Sequence, residues 1–317
     1  MKTLVFGAGP IGRWLALCLR QGGKDVSLLA RGETFETLRR DGVVLVDGFT
    51  GDRRSTHVHM VESLAPNDRY DLVIVAMRKS SRQAVCPILA ANETLENILF
   101  VGNDVSGFQH YFEFLSHEQV LLGFPGAGGG WDGDDLVFID GEKPGKRDGP
   151  VYLGELDGRT RERTERIREL FEGAGIPVNV EVNIDGWLKY HFAFMAPTTG
   201  AVLKHGGDVQ AVAADKATLR QYILACREAG DVLRAVGYRK RQPPVFNLYY
   251  WQPVWLGVRL FRSFFTSRKV EIQMGLHAGE VGEEVQQMNE EFEVLKAEAE
   301  IDTPNLDELV RYALGPV

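Results

Sequence analysis

The sequence predicts an α/β domain with a doubly wound parallel sheet, followed by an all-α C-terminal domain. Three observations carry this expectation. A glycine turn, Gly7-x-Gly9-x-x-Gly12, follows an apolar run at the start of the chain and opens a stretch of helical spacing. Short apolar runs then alternate with helix-like ones. From Ile184 onward strand signals fade and long helical periodicities take over.

"TLVFGAG" reads as a strand and its turn, and "IGRWLALCLRQG" as the helix that follows. "DVSLLA" is a second strand, "DLVIVAM" a third, "SSRQAVCPILAA" a helix and "NILFVGN" a fourth strand. Buried apolar strands alternating with helices imply a parallel sheet covered on both faces. Right-handed crossovers make it Rossmann-type. Residues from about 120 to 156 are glycine-rich, with strand-like pieces "LVFID" and "PVYLGE". Antiparallel strands that close the sheet are expected there. "TRERTERIRELFEGAG" is a charged surface helix ending in glycine, and "IPVNVEV" a last strand. "DGWLKYHFAFMA", "TLRQYILACREAGDVLRAVG" and "GEEVQQMNEEFEVLKAEAE" are helical. The expected domains are 1–184 and 185–317.

Composition narrows the function classes. The 317 residues are 44% hydrophobic and 25% charged, as in ordinary globular proteins. A formal net charge of -8 argues against a general nucleic-acid binder. Cys18, Cys86 and Cys226 are far apart and give no metal spacing, so no metal is expected. Sparse cysteines and the lack of a leader-like apolar run fit a cytoplasmic protein. The aromatic stretch from Pro243 to Phe265 is interrupted by polar residues, so it is not read as a membrane span. It reads as an aromatic core or dimer face, or as the wall of a larger apolar pocket.

The glycine turn suits a dinucleotide. Gly7 permits the tight turn, Gly9 lets the backbone approach a pyrophosphate, and Gly12 lets helix and strand pack closely. Pro10 and Ile11 complete the loop, whose amides face the phosphates at the helix start. The tip of the second strand then selects the cofactor. It carries Arg31, whose guanidinium suits the 2′-phosphate of NADP. Glu33, two residues on, would instead serve NAD. Arg78 and Lys79 follow the third strand, at the end where such sheets bind ligands. Asn103 ends the fourth strand, placed for the nicotinamide end or the substrate, or as a turn former.

Together these pieces resemble the ketopantoate reductase family (2-dehydropantoate 2-reductases). The resemblance rests on "GAGPIG", on the strand ending "LLAR", on "VGNDVSG", on "YLGELDGRTRERTERIRELFEGAGIPVNVEVNI", and on "DGWLKY" after it. It implies that NADPH reduces a 2-oxo acid and that Lys189 protonates the carbonyl oxygen as hydride arrives. It implies that Glu284, with Glu283 a close competitor, orients the substrate and stabilises the lysine's charge. Asn103 matches the family's asparagine near the nicotinamide, and Arg78 its basic residue after the third strand. It also implies a small-molecule substrate, a homodimer, and no nucleic-acid or membrane partner.

The chemistry stands beside the resemblance. Hydride addition to a ketone builds negative charge on oxygen, which a cationic proton donor stabilises. The aromatics of "WLKYHFAF" make partial desolvation of Lys189 an expectation, with snorkelling from an apolar helix as the alternative. His191 reads as a packed histidine. The departures concern the substrate. Where the family carries asparagines after the lysine, this chain has Ala193 and Pro197. Ile272 falls near a family serine, and Asp104 follows Asn103. The reaction class is therefore expected to persist, with ketopantoate as the named substrate and a related ketone beside it. A hydroxy-acid dehydrogenase working in reverse, or a non-catalytic NADP-binding regulator, are the alternatives.

Overall fold

A computed structural model describes residues 1–277 and 282–314. The chain forms two compact units. One comprises residues 1–103 and 107–184; the other comprises residues 104–106 and the chain from Asp185 onward.

The first unit is built on an eight-stranded sheet and a four-stranded one. In chain order its strands are β1 (Thr3–Phe6), β2 (Val26–Leu29), β3 (Val43–Asp47), β4 (Arg53–Thr56), β5 (His59–Val61) and β6 (Leu72–Val75). They continue with β7 (Ile98–Val101), β8 (Val120–Pro125), β9 (Gly128–Asp132), β10 (Asp135–Ile139), β11 (Val151–Glu155) and β12 (Val178–Val180). The helices are α1 (Pro10–Gln21), α2 (Gly32–Asp41), α3 (Lys79–Ala90) and α4 (Glu162–Glu172).

The large sheet runs β12-β11-β8-β7-β6-β1-β2-β5. Every residue of β1, β2, β6 and β7 is buried, which is why these strands read as unbroken apolar runs. Phe6 pairs with Leu29 and with Val75, and Val75 with Phe100, so four parallel strands end in register. Strand order reverses beside β1, the place where open α/β sheets take their ligands.

The glycine-rich region departs from the expectation. β8 runs parallel to β7, and of the strands after it only β11 pairs with it, antiparallel. β9 and β10 leave this sheet and form a second one, β4-β3-β10-β9. The glycines explain the pairing. A Cβ on Gly129 would lie 2.2 Å from the Val137 carbonyl oxygen, so the β9–β10 approach needs a bare backbone. Trp14 of α1 stacks on Phe138 of β10 at 5.6 Å, and its indole N–H donates to Asp140. Arg54 and Arg147 both close on the same carboxylate at 3.0 Å.

The second unit has no strand among its described residues; its α-helices are α5 (Ile184–Lys204), α6 (Val209–Ala214), α7 (Lys216–Ala235), α8 (Val254–Phe265), α9 (Arg268–His277), α10 (Gly282–Ala299) and α11 (Pro304–Ala313). α7 carries buried Leu219, Tyr222, Cys226 and Leu233 on one face and packs against α8 and α11. Glu228 of α7 accepts the first amides of α11, from Asn305 and Leu306, both at 2.9 Å. That satisfies donors a helix start otherwise leaves open. The aromatic stretch divides. Phe246, Tyr249, Phe261 and Phe265 are buried around Tyr222, whereas Trp251 and Trp255 are exposed. No helix among the described residues is long and apolar enough to cross a membrane.

Candidate active site

The carboxyl ends of β7, β6, β1 and β2 lie side by side, so the residues that follow them form a row. Asn103 follows β7, Arg78 follows β6, the glycine turn follows β1 and Arg31 follows β2. From β2 to β7 is three strand spacings, about 14 Å. The row gives one extended ligand an order of contacts: Arg31 at one end, the turn in the middle, Asn103 at the other.

Each glycine of the turn has its own physical reason. Gly7 has φ +112, where side chains are strained, and a Cβ there would lie 2.7 Å from the Ala76 carbonyl oxygen. A Cβ on Gly12 would lie 1.9 Å from the Gly7 carbonyl oxygen, so α1 packs down on the turn itself. A Cβ on Gly9 would meet nothing within 4 Å. Gly9 therefore leaves open space that the fold does not use, at the N-cap of α1. No acidic side chain sits in the first turn of that helix, and no side chain caps it. Pro10 supplies its fixed φ at the first helical position, and Ile11 packs against the core. This shape fits a pyrophosphate.

Arg31 is exposed and precedes α2, and Glu33 is exposed in that helix's first turn. Arg78 is exposed at the N-cap of α3, whereas Lys79 is buried. Arg82, which the sequence reading passes over, is buried one turn into α3. Its guanidinium donates to three carbonyl oxygens, of Met77 at 3.0 Å, Asn103 at 2.8 Å and Val101 at 3.1 Å. Gly102 makes room for it. At φ +136, a Cβ there would lie 2.0 Å from the Arg82 Nη2. Arg82 thus ties the ends of β6 and β7 together and fixes the backbone of Asn103. A basic residue in the first turn of a helix carries no sequence signal for such a role.

In the helical unit, Lys189 lies in the second turn of α5 and is 3% exposed. Its ammonium meets Asp185 Oδ1 at 2.5 Å, one helical turn back. Tyr238 donates its hydroxyl to the other oxygen of Asp185 at 2.6 Å, and its ring lies 4.9 Å from the Lys189 Nζ. The resemblance gave the lysine's counter-charge to Glu284. In the structure the ammonium pairs with Asp185, since residues four apart share a helix face. The spacing Asp185-x-x-x-Lys189 was legible in the sequence; Tyr238, from a distant segment, was not. Glu284 is half-buried on α10, the helix that inserts Val285, Met288 and Phe292 into the core. The side chain of Glu283 lies outside the described residues.

His191 stacks flat on Trp187 at 5.3 Å, and burial pushes its imidazole down to about 4. It is neutral near pH 7 and has no proton of a cation to give. Ala193 and Pro197 are buried in α5 and offer no hydrogen bond from their side chains. A cavity of about 550 Å³ lined by Lys2, Asp71 and Asn97 lies at the amino ends of the strands, the wrong end for a dinucleotide. No cluster of metal-ligating side chains is present among the described residues.

A doubly wound sheet with this glycine turn defines a dinucleotide-binding domain. Comparison with known proteins narrows the class. The family model described as "Ketopantoate reductase PanE/ApbA" matches residues 3–158. An oxidoreductase of Bacillus subtilis, YkpB, is 27% identical over 252 residues, covering 75% of this chain and 76% of its own. A 2-dehydropantoate 2-reductase of Listeria innocua is 25% identical over 158 residues, covering 50% of this chain and 52% of its own. Among solved structures, D-mandelate dehydrogenase with NADH and anilino(oxo)acetate superposes with a TM-score of 0.76 at 17% identity, over 99% of this chain and 97% of that one. These findings support the ketopantoate reductase family, whose model covers just under half of the chain.

Proposed function

We propose that this enzyme reduces a 2-oxo acid with NADPH and that Lys189 is the general acid. The single observation that carries the reading is the buried ammonium of Lys189, held by a carboxylate in a helix whose sequence resembles the family's lysine segment. NADPH, when bound, supplies the hydride. The turn from Gly7 to Gly12, with Pro10 and Ile11, holds the pyrophosphate on the open side of Gly9. Arg31 takes the 2′-phosphate, Arg78 adds positive charge, and Asn103 orients the nicotinamide end. Lys189 donates a hydrogen bond to the carbonyl oxygen and passes its proton as that oxygen becomes an alkoxide. Glu284 keeps the substrate-orienting half of its expected role.

Ala193 and Pro197 narrow the substrate. They offer no side-chain partner to the polar substituents that the family's asparagines would meet. A hydroxyl left unpaired there costs about 1–3 kcal/mol. An apolar 2-oxo acid is therefore preferred to ketopantoate. D-Mandelate dehydrogenase, which shares this fold and is solved with NADH and anilino(oxo)acetate, supports that preference. The test is a panel of 2-oxo acids, ketopantoate included, followed by loss of NADPH absorbance. Turnover of an apolar member with kcat/KM above that of ketopantoate supports the reading. NADPH binding with no turnover across the panel contradicts it and leaves a binding protein.

A further inference from the structure

The charge that Lys189 carries has to be aimed as well as present. On a four-carbon stem an ammonium samples many positions, and each costs effective concentration at the reacting oxygen. Two contacts restrict it here. Asp185 holds the Nζ from the same helix face. The Tyr238 ring lies against the ammonium at 4.9 Å, while its hydroxyl fixes the carboxylate. Tyr238 is itself anchored, since its carbonyl accepts the Tyr190 hydroxyl at 2.7 Å. Burial first, then the Asp185 carboxylate and more distantly Glu298, push the Tyr238 hydroxyl well above its usual range. It stays a phenol and keeps donating. Asp185 then has both oxygens engaged, one by a cation and one by a neutral donor.

We propose that Asp185 and Tyr238 are positioning residues that hold the Lys189 ammonium in one place for proton transfer. The proposal rests on Lys189 being the acid, and assigns to Asp185 the charge-holding role that the family resemblance gave to Glu284. Asp185 does not touch substrate in this account. It acts through the lysine, so its loss falls on kcat rather than on binding.

The test uses the full-length protein and Asp185→Asn, Asp185→Glu, Tyr238→Phe and Lys189→Ala. kcat and KM are measured with the best 2-oxo acid, together with the NADPH dissociation constant. Separately, the rate of reductive methylation of Lys189 by formaldehyde and cyanoborohydride is followed by mass spectrometry, which needs no substrate. Asp185→Asn should lower kcat about 10- to 100-fold with KM and NADPH binding within about twofold. Asp185→Glu should recover part of kcat, and Tyr238→Phe should lose about 3- to 10-fold. Lys189 should methylate at least about threefold faster in Asp185→Asn than in the parent. If Asp185→Asn keeps the parent kcat and methylation rate while Lys189→Ala abolishes turnover, the positioning role is overturned and the reductase reading stands. If Lys189→Ala keeps the parent kcat, the lysine's role falls first. If no 2-oxo acid is turned over, the methylation rates alone decide whether Asp185 holds the lysine.

Discussion

Gly9 and Gly12 look alike in the sequence and do opposite things. Gly12 is excluded from having a side chain by the protein, whereas Gly9 is open on the protein's side. Gly12→Ala should therefore destabilise the fold, by about 1–3 kcal/mol from overpacking, read as a lower urea midpoint. Gly9→Ala, at an ordinary φ of -72, should keep the parent midpoint and weaken NADPH binding at least about tenfold. Equal effects of the two would contradict the phosphate assignment. Arg31→Ala should weaken NADPH by about 1–3 kcal/mol, as loss of charged hydrogen bonds to a phosphate would, and leave NADH nearly unchanged. Equal weakening of both cofactors, measured by fluorescence titration, would move the selectivity to Glu33.

The strand ends owe their geometry to a contact between α3 and β7. Arg82 fills three backbone carbonyls, so Arg82→Met should cost about 2–4 kcal/mol and loosen Asn103. Gly102→Ala should act the same way, by displacing that guanidinium. A thermal midpoint unchanged in both would show that the tie is dispensable. The central strands were readable because parallel strands covered on both faces are continuously apolar. The four-stranded sheet was not, because β3 pairs in parallel with β10, far along the chain, and only contact between them gives either meaning. β9, made largely of glycine, has almost no propensity signal of its own. At the site, Asp185 was readable from its spacing to Lys189. Arg82 and Tyr238 were not, since their partners come from other elements.

For the folded chain as a whole, His191 sets a pH dependence of stability. Its imidazole is held near 4 by burial, below the unfolded value of about 6.5, so the unfolded state binds more protons between these limits. Stability is fully present above about pH 6.5 and falls as pH drops toward 4, by about 1–3 kcal/mol for this one group. His191→Gln should flatten that part of a urea-midpoint profile; an unchanged slope would show that other groups set it. In the proposed reading catalysis depends instead on Lys189, and the most direct test removes its ammonium. Lys189→Ala is compared with the parent for NADPH affinity and for kcat on the best 2-oxo acid. The account predicts NADPH affinity within about twofold and a loss in kcat of about 10²-fold or more. Parent-like turnover by Lys189→Ala would contradict it.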